Sequence, residues 1–148
     1  MTNIFDITAF GAIGDGVFDC TQAIQAALDA AGEVRGAVVV PPGNYLTGYV
    51  RAHPFTCVTG FPAWSFRDNG ASNLILKDAN QPCLLDITGA FGCTVRGICL
   101  DGRKLGDEIH GIMLANDCMG FFRGEGEDTP TMAAIRRSAA RIFGWSAA

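Results

Sequence analysis

Several kinds of reactive side chain lie close together between residues 101 and 110. This stretch holds three carboxylates, Asp101, Asp107 and Glu108, one imidazole, His110, and two cations, Arg103 and Lys104. Carboxylates and imidazoles act as general acids and bases, and cationic side chains bind anionic groups. We therefore take Asp101, Asp107 and His110 as candidate catalytic residues, and Arg103 and Lys104 as candidate substrate-binding residues.

The same stretch also has a purely structural interpretation, which the sequence favours. Asp101-Gly102 directly follows an apolar run and is typical of a turn between two strands. A further acid, Asp86, alternates with the apolar Leu85 and Ile87, so we expect its side chain to face solvent.

Aromatic side chains are frequent between residues 45 and 66. They are Tyr45, Tyr49, Phe55, Phe61, Trp64 and Phe66. Exposed rings of this kind stack on sugars, whereas buried rings fill a core. The sequence favours burial, and Trp64 is kept as a candidate sugar-binding residue.

Metal, disulfide and phosphate sites are not favoured. The six cysteines include no C-x-x-C pair, and free thiols are favoured over three disulfides because no signal peptide precedes them. The glycine loop at residues 11–16 lacks both the phosphate-loop spacing and a following Lys-Ser/Thr, so its glycines are expected to adopt positive φ.

Length and composition indicate one globular domain. The chain has 148 residues, of which 49% are hydrophobic and 18% charged, a composition that excludes disorder. A net charge of −4 argues against a nucleic-acid partner, and no apolar run is long enough for a membrane span. As written, without a signal peptide, the chain is expected in the cytoplasm; secretion or association with a virion are the alternatives.

The elements that must position these residues are mostly short strands. One amphipathic helix is predicted over residues 19–31, with Asp19 as its cap and Gly32 as its stop. Strand-length apolar runs are predicted at residues 4–10, 36–41, 74–76, 84–87, 95–100 and 109–114. The runs at Ile75, Val95 and Ile112 recur at intervals of 20 and 17 residues, which suggests stacked coils of a solenoid.

Three blocks of the sequence resemble the pectate lyase superfamily, which includes polygalacturonase-like enzymes and phage tailspike proteins. They read FGAIGDG at 10–16, AIQAALDAA at 23–31 and VVVPPGNY at 38–45, and VRGICLDGR at 95–103 resembles a recurring rung of the family. The resemblance covers about residues 4–130.

The resemblance implies a mainly β fold, a right-handed single-stranded parallel β-helix whose N-terminal end is covered by the helix 19–31. Residues 1–130 would be the N-terminal part of this solenoid domain. Residues 131–148 form an Ala/Arg-rich tail that reads as an amphipathic helix. The tail either caps the other end or results from truncation or a frameshift.

The resemblance also implies a carbohydrate-active protein, a glycoside hydrolase or a lyase that acts on a polysaccharide. The polygalacturonase motifs Asn-Thr-Asp, Asp-Asp, Gly-His-Gly and Arg-Ile-Lys are absent from the sequence. The coils that carry the catalytic residues are therefore expected beyond this chain. No cofactor or metal is expected, except Ca²⁺ if the chemistry is of the lyase type. The alternative is a non-catalytic structural or glycan-binding module, trimeric if it is tailspike-like.

Overall fold

The computed structural model describes residues 3–62, 70–105 and 109–114, and every structural statement below concerns those residues. They form one α-helix, α1 (Thr21–Val34), a 3₁₀ helix (Ile7–Phe10) and eleven strands. The strands are β1 (Ile4–Asp6), β2 (Asp15–Asp19), β3 (Ala37–Val39), β4 (Gly43–Thr47), β5 (Val50–Arg51), β6 (Cys57–Thr59), β7 (Ser72–Leu76), β8 (Cys83–Asp86), β9 (Thr94–Arg96), β10 (Ile98–Asp101) and β11 (His110–Met113).

The strands form three sheets in which every pairing is parallel. Sheet A has the order β1-β3-β6-β9, sheet B has β2-β4-β7-β10, and sheet C has β5-β8-β11. The chain visits the three sheets in turn, and we number its passages coil 1 to coil 4; in coil 1, α1 follows β2 where the other coils have a sheet C strand. The fold is therefore mainly β, with parallel sheets consistent with a β-helix family.

The core lies between the three sheets and is built from aligned apolar side chains. In sheet A, Phe5, Val38, Val58 and Val95 are register partners across all four coils. Tyr45, Leu74 and Leu100 align in sheet B, and Val50, Leu85 and Ile112 align in sheet C. Each coil alone would leave its apolar side chains exposed, so stacking is what buries them.

Gly97 divides the apolar run 95–100 between two sheets. The run forms β9 in sheet A and β10 in sheet B, with Gly97 between them at a φ of 67°. A Cβ atom on Gly97 would lie 2.5 Å from the carbonyl oxygen of Gly60. A side chain at this corner would therefore strain the backbone and overlap the neighbouring coil.

The predicted start and end of the helix are both wrong by a few residues. Its N-cap is Cys20, which makes no side-chain capping bond, while Asp19 accepts a hydrogen bond from the backbone N–H of Thr21. Gly32 lies inside the helix, and a Cβ there would come within 2.7 Å of the His53 ring. The helix ends at Val34, and the residue that follows it, Arg35, adopts the left-handed conformation. Gly32 thus permits close packing instead of stopping the helix.

Side chains of helix α1 form hydrogen bonds with backbone groups of β5, at one edge of sheet C, and of the residues just before it. The Thr21 hydroxyl accepts a hydrogen bond from the backbone N–H of Gly48 at 2.8 Å. The side-chain amide of Gln25 accepts from the N–H of Arg51 at 2.8 Å and donates to its carbonyl at 3.0 Å. Side chains of α1 therefore replace the backbone partners that a further strand would supply.

The first predicted strand is shorter than residues 4–10. Only Ile4–Asp6 is extended, and Ile7–Phe10 forms the 3₁₀ helix, which ends at Gly11 with a φ of 97°. The five described cysteines, Cys20, Cys57, Cys83, Cys93 and Cys99, are free thiols. Within the described residues, no helix has the length and apolar character that crossing a membrane requires. The 131–148 tail lies outside the described residues, and its predicted helix stays a prediction.

Candidate functional site

Most of the predicted site residues lie at the corner between sheets B and C in coil 4. Asp101 is the last residue of β10, and His110 is the first residue of β11. Arg103 and Lys104 lie between them and are both exposed, as is His110. The other two candidates, Asp107 and Trp64, lie outside the described residues.

Arg103 and Lys104 occupy the tip of a tight turn. The backbone N–H of Leu105 donates to the carbonyl of Gly102 at 3.1 Å, which closes the turn. Both central residues have positive φ, 53° at Arg103 and 56° at Lys104, the signature of a type I′ turn. Asn and Gly usually fill these two positions, because other side chains are strained there. The turn thus presents two cations side by side at a cost in backbone energy.

The Asp101 carboxylate stabilises this turn. Its Oδ1 accepts a hydrogen bond from the backbone N–H of Arg103 at 2.8 Å. Five other aspartates bond in the same way to the residue two positions on: Asp6, Asp15, Asp19, Asp78 and Asp86. The seventh described aspartate, Asp29, instead contacts Nε2 of His53 at 2.7 Å. Every described aspartate therefore has a structural partner.

The environments of Asp15, Asp19 and Asp29 favour the ionised form of each carboxyl. Backbone hydrogen bonds from Phe18 and Val17 lower the pKa of Asp15, and the Thr21 side chain lowers the pKa of Asp19. The hydrogen bond with His53 lowers the pKa of Asp29. A general acid in glycoside hydrolysis needs the opposite shift, since it must hold its proton at neutral pH. These three carboxyls are not suited to that role.

A second polar cluster, on the outer face of sheet C, was not predicted. The Tyr49 hydroxyl donates to Oδ2 of Asp86 at 2.6 Å, and the backbone N–H of Thr88 donates to Oδ1 at 2.8 Å. The expectation that Asp86 faces solvent is wrong, because only 5% of it is exposed. Asp86 does alternate with the inward-facing Leu85, but Tyr49 reaches it from the neighbouring coil.

The hydrogen bond between Tyr49 and Asp86 shifts both groups. It is the main cause that raises the pKa of Tyr49 to about 12. Burial would raise the pKa of Asp86, but hydrogen bonds from Thr88 and Tyr49 outweigh it, so the pKa is lowered. Tyr49 therefore stays protonated and Asp86 stays ionised at neutral pH. The pair serves as a fixed hydrogen-bonded contact between coils 2 and 3.

One signal in the sequence could have revealed this face. Val50 and Ala52 are buried, whereas Tyr49, Arg51 and His53 alternate with them and so belong to the outer side of coil 2. A guanidinium N–H of Arg51 donates to the Thr88 carbonyl at 3.3 Å. Among the described residues, no group of three or more His, Cys, Asp or Glu side chains could hold a metal ion.

Part of the chain matches a known protein family. Residues 4–63, which comprise coils 1 and 2 with α1 and strand β6 of coil 3, match the family described as rhamnogalacturonase A/epimerase, pectate lyase-like. This match and the two relatives below support membership of the pectate lyase superfamily. The superfamily that the motifs at residues 10–45 predict is therefore supported.

Two curated relatives support this membership. A polygalacturonase from Cryptomeria japonica is 45% identical over 42 residues, which cover 28% of this chain and 8% of that protein. Mannuronan C5-epimerase AlgE6 from Azotobacter vinelandii is 52% identical over 117 residues, which cover 68% of this chain and 12% of that protein. The chain thus spans about an eighth or less of their lengths. No solved structure matches it.

Proposed function

We propose that this chain forms the N-terminal coils of a right-handed, single-stranded parallel β-helix that binds an acidic polysaccharide of uronic-acid type. The order of the strands, which pass from sheet A to B to C and back to A, supports the β-helix. The names of the two relatives, a polygalacturonase and a mannuronan epimerase, support the polymer class.

The strained turn at Arg103 and Lys104 is the observation that carries the binding proposal. Two exposed cations occupy positions that Asn and Gly would fill at lower energy. Backbone strain of this kind costs about 1–3 kcal/mol and tends to persist at functional sites. Each sugar of a polyuronate carries one carboxylate, which a guanidinium or ammonium group binds through charge-assisted hydrogen bonds. His110 lies at the same corner and supplies a further polar group.

The proposed activity of this chain is binding without cleavage. All seven described aspartates have structural partners, so none is left to act as an acid or base in the way that the family's hydrolases require. The candidates Asp101 and His110 thus contribute to the shape of the binding corner. This proposal corresponds to the glycan-binding alternative for a member of the superfamily.

Isothermal titration with polygalacturonate, polymannuronate and a neutral glucan tests the proposal. The decisive variant is R103N/K104G, because it removes both charges and gives the turn its preferred residues. We expect this variant to melt at a higher temperature than the wild type and to bind the polyuronates at least about tenfold more weakly. The neutral glucan should bind neither protein.

Two results would contradict the proposal. Wild-type protein that is folded but binds neither polyuronate would exclude the polymer class. Binding that is unchanged in R103N/K104G would show that the turn is not the contact. A reducing-sugar assay and an ultraviolet assay for unsaturated products, on the same samples, would detect hydrolysis or elimination and thereby contradict binding without cleavage.

A further inference from the structure

A second surface lies at the opposite end of sheet C, where the chain turns back into sheet A. In three successive coils, the residue two positions before the sheet A strand is left-handed: Arg35, Phe55 and Gly92 have φ values of 54°, 58° and 67°. The strands that follow them are aligned through Ala37, Cys57 and Thr94. These three residues therefore occupy equivalent positions in coils that lie about 4.8 Å apart.

Phe55 lies next to both of the other equivalent residues. The guanidinium carbon of Arg35 lies 4.6 Å from the centroid of the Phe55 ring, which is a cation–π contact. On the next coil, a Cβ on Gly92 would come within 2.9 Å of Cδ1 of Phe55. The absence of a side chain at Gly92 thus makes room for the ring, and the ring in turn positions the guanidinium.

Arg35 keeps its capacity to bind an anion. It is exposed, and within the described part of the chain no carboxylate forms a salt bridge with it. A cation–π contact uses the ring as a partner and leaves the N–H groups of the guanidinium available for a carboxylate.

Two aromatic rings accompany this cation. Phe55 and Phe91 are 52% and 43% exposed, and the backbone N–H of Phe55 donates to the carbonyl of Phe91 at 2.7 Å. The exposed Phe55 ring beside the Arg35 cation, with Phe91 one backbone hydrogen bond away, matches a uronic-acid sugar, whose C–H face is apolar and whose carboxylate is anionic. A neutral sugar would satisfy the rings and leave the cation without a partner.

We propose that Arg35, Phe55 and Phe91 form a subsite for a uronic-acid sugar, separate from the Arg103–Lys104 turn. Arg35 binds the carboxylate, and the exposed parts of the two rings contact the C–H face of the sugar. The inference rests on the proposed function, because it assigns a second binding position on the coils to the same class of polymer.

The test measures the affinity of the full chain for oligogalacturonate and oligomannuronate by isothermal titration. Arg35→Asn removes the charge and suits a left-handed position, and Phe91→Ala removes one ring. We expect Arg35→Asn to weaken binding about tenfold, as the loss of a charged hydrogen bond does, and Phe91→Ala to weaken it several-fold. The affinity of the wild type should also fall as salt is added.

Matched controls separate this corner from a general effect of charge or apolar surface. Arg96→Gln removes an exposed arginine from the outer face of sheet A, where its Nε–H donates to the Thr59 hydroxyl at 3.3 Å. Phe61→Ala removes a phenylalanine that is 51% exposed after β6. Both controls should bind like the wild type, and circular dichroism with a melting curve should show that every variant is folded.

The outcomes distinguish this inference from the proposed function. If the wild type binds and Arg35→Asn and Phe91→Ala bind equally well, the subsite is wrong while the proposed function stands. If the folded wild type binds no uronate oligomer, the proposed function fails and the subsite fails with it. If Arg35→Asn does not fold, Arg35→Lys and Phe91→Ala decide: unchanged affinity in both overturns the subsite, and weaker binding by Phe91→Ala alone supports it.

Discussion

The side-chain amide of Gln25 bonds both the N–H and the carbonyl of Arg51, as a residue of a neighbouring strand would. Its Oε1 accepts at 2.8 Å and its Nε2 donates at 3.0 Å. Arg51 belongs to β5, an edge strand of sheet C, so these bonds satisfy backbone groups that would otherwise form an open edge. A helix thereby ends a parallel sheet without an additional strand.

Gln25→Ala should therefore destabilise the chain and expose a sheet edge. We expect the free energy of unfolding to fall by about 1–3 kcal/mol, because two backbone groups of Arg51 lose their partner. Urea unfolding measures this change, and light scattering measures any association through the free edge. Gln22→Ala is the matched control, since Gln22 lies on the same helix and is exposed. An equal effect of both substitutions would show only a loss of helix stability.

Tyr49→Phe tests the contact between coils 2 and 3. At neutral pH the variant should lose about 1–2 kcal/mol of stability, because the buried Asp86 carboxylate loses a hydrogen-bond donor. The folded-state pKa of Asp86 is lowered, so its contribution is present above the unfolded pKa and disappears as the pH falls through the folded pKa. Urea unfolding near pH 3 should therefore show a smaller difference between the two proteins than unfolding at pH 7.

At alkaline pH, the raised pKa of Tyr49 makes stability change with pH in the opposite direction. The pKa of Tyr49 rises to about 12 in the folded chain, so its contribution is complete below the unfolded pKa, about 10, and is lost as the pH rises to 12. Wild-type stability should fall across this window by more than that of Tyr49→Phe. A variant that tracks the wild type at both ends of the pH range would show that the bond contributes nothing to stability.

The sequence predicted the apolar runs but not the sheet to which each belongs. Ile75, Val95 and Ile112 lie in β7, β9 and β11, which are in sheets B, A and C, so their near-regular spacing is not the repeat of a coil. The sequence of a short strand does not indicate its sheet, because inward and outward side chains alternate in the same way in sheets A, B and C. The sequence also does not show why residue 97 is a glycine, because the reason is the nearby Gly60 carbonyl on the neighbouring coil.

The candidate site was predictable to a similar degree. The polar stretch at residues 101–110 does lie at one corner, but the sequence could not show that Asp101 bonds its own turn. Asp86 was assigned to the outer side of its strand correctly, yet an outer position is not a solvated one when Tyr49 covers it. The signals that were missed depend on neighbouring coils, which are distant in sequence.

Gly97→Ala should be strongly destabilising. The new methyl group would lie 2.5 Å from the Gly60 carbonyl oxygen, and the backbone is left-handed with a φ of 67°. We expect a loss of about 3 kcal/mol or more from strain and overlap together. Gly70→Ala is the control, since among the described residues no atom beyond its chain neighbours lies within 4 Å of its Cβ position. A melting temperature equal to that of Gly70→Ala would show that the corner relaxes freely.

Asp101→Asn separates a structural aspartate from a catalytic one. The amide oxygen of asparagine can still accept the hydrogen bond from the Arg103 N–H, so we expect the melting temperature to change little. Removal of a negative charge beside Arg103 and Lys104 should leave polyuronate affinity unchanged or raise it up to about threefold. Asp101→Ala should instead lower stability by about 1 kcal/mol, because the turn loses its side-chain acceptor. Weaker polyuronate binding by a stable Asp101→Asn variant would show that the carboxylate itself contacts the sugar.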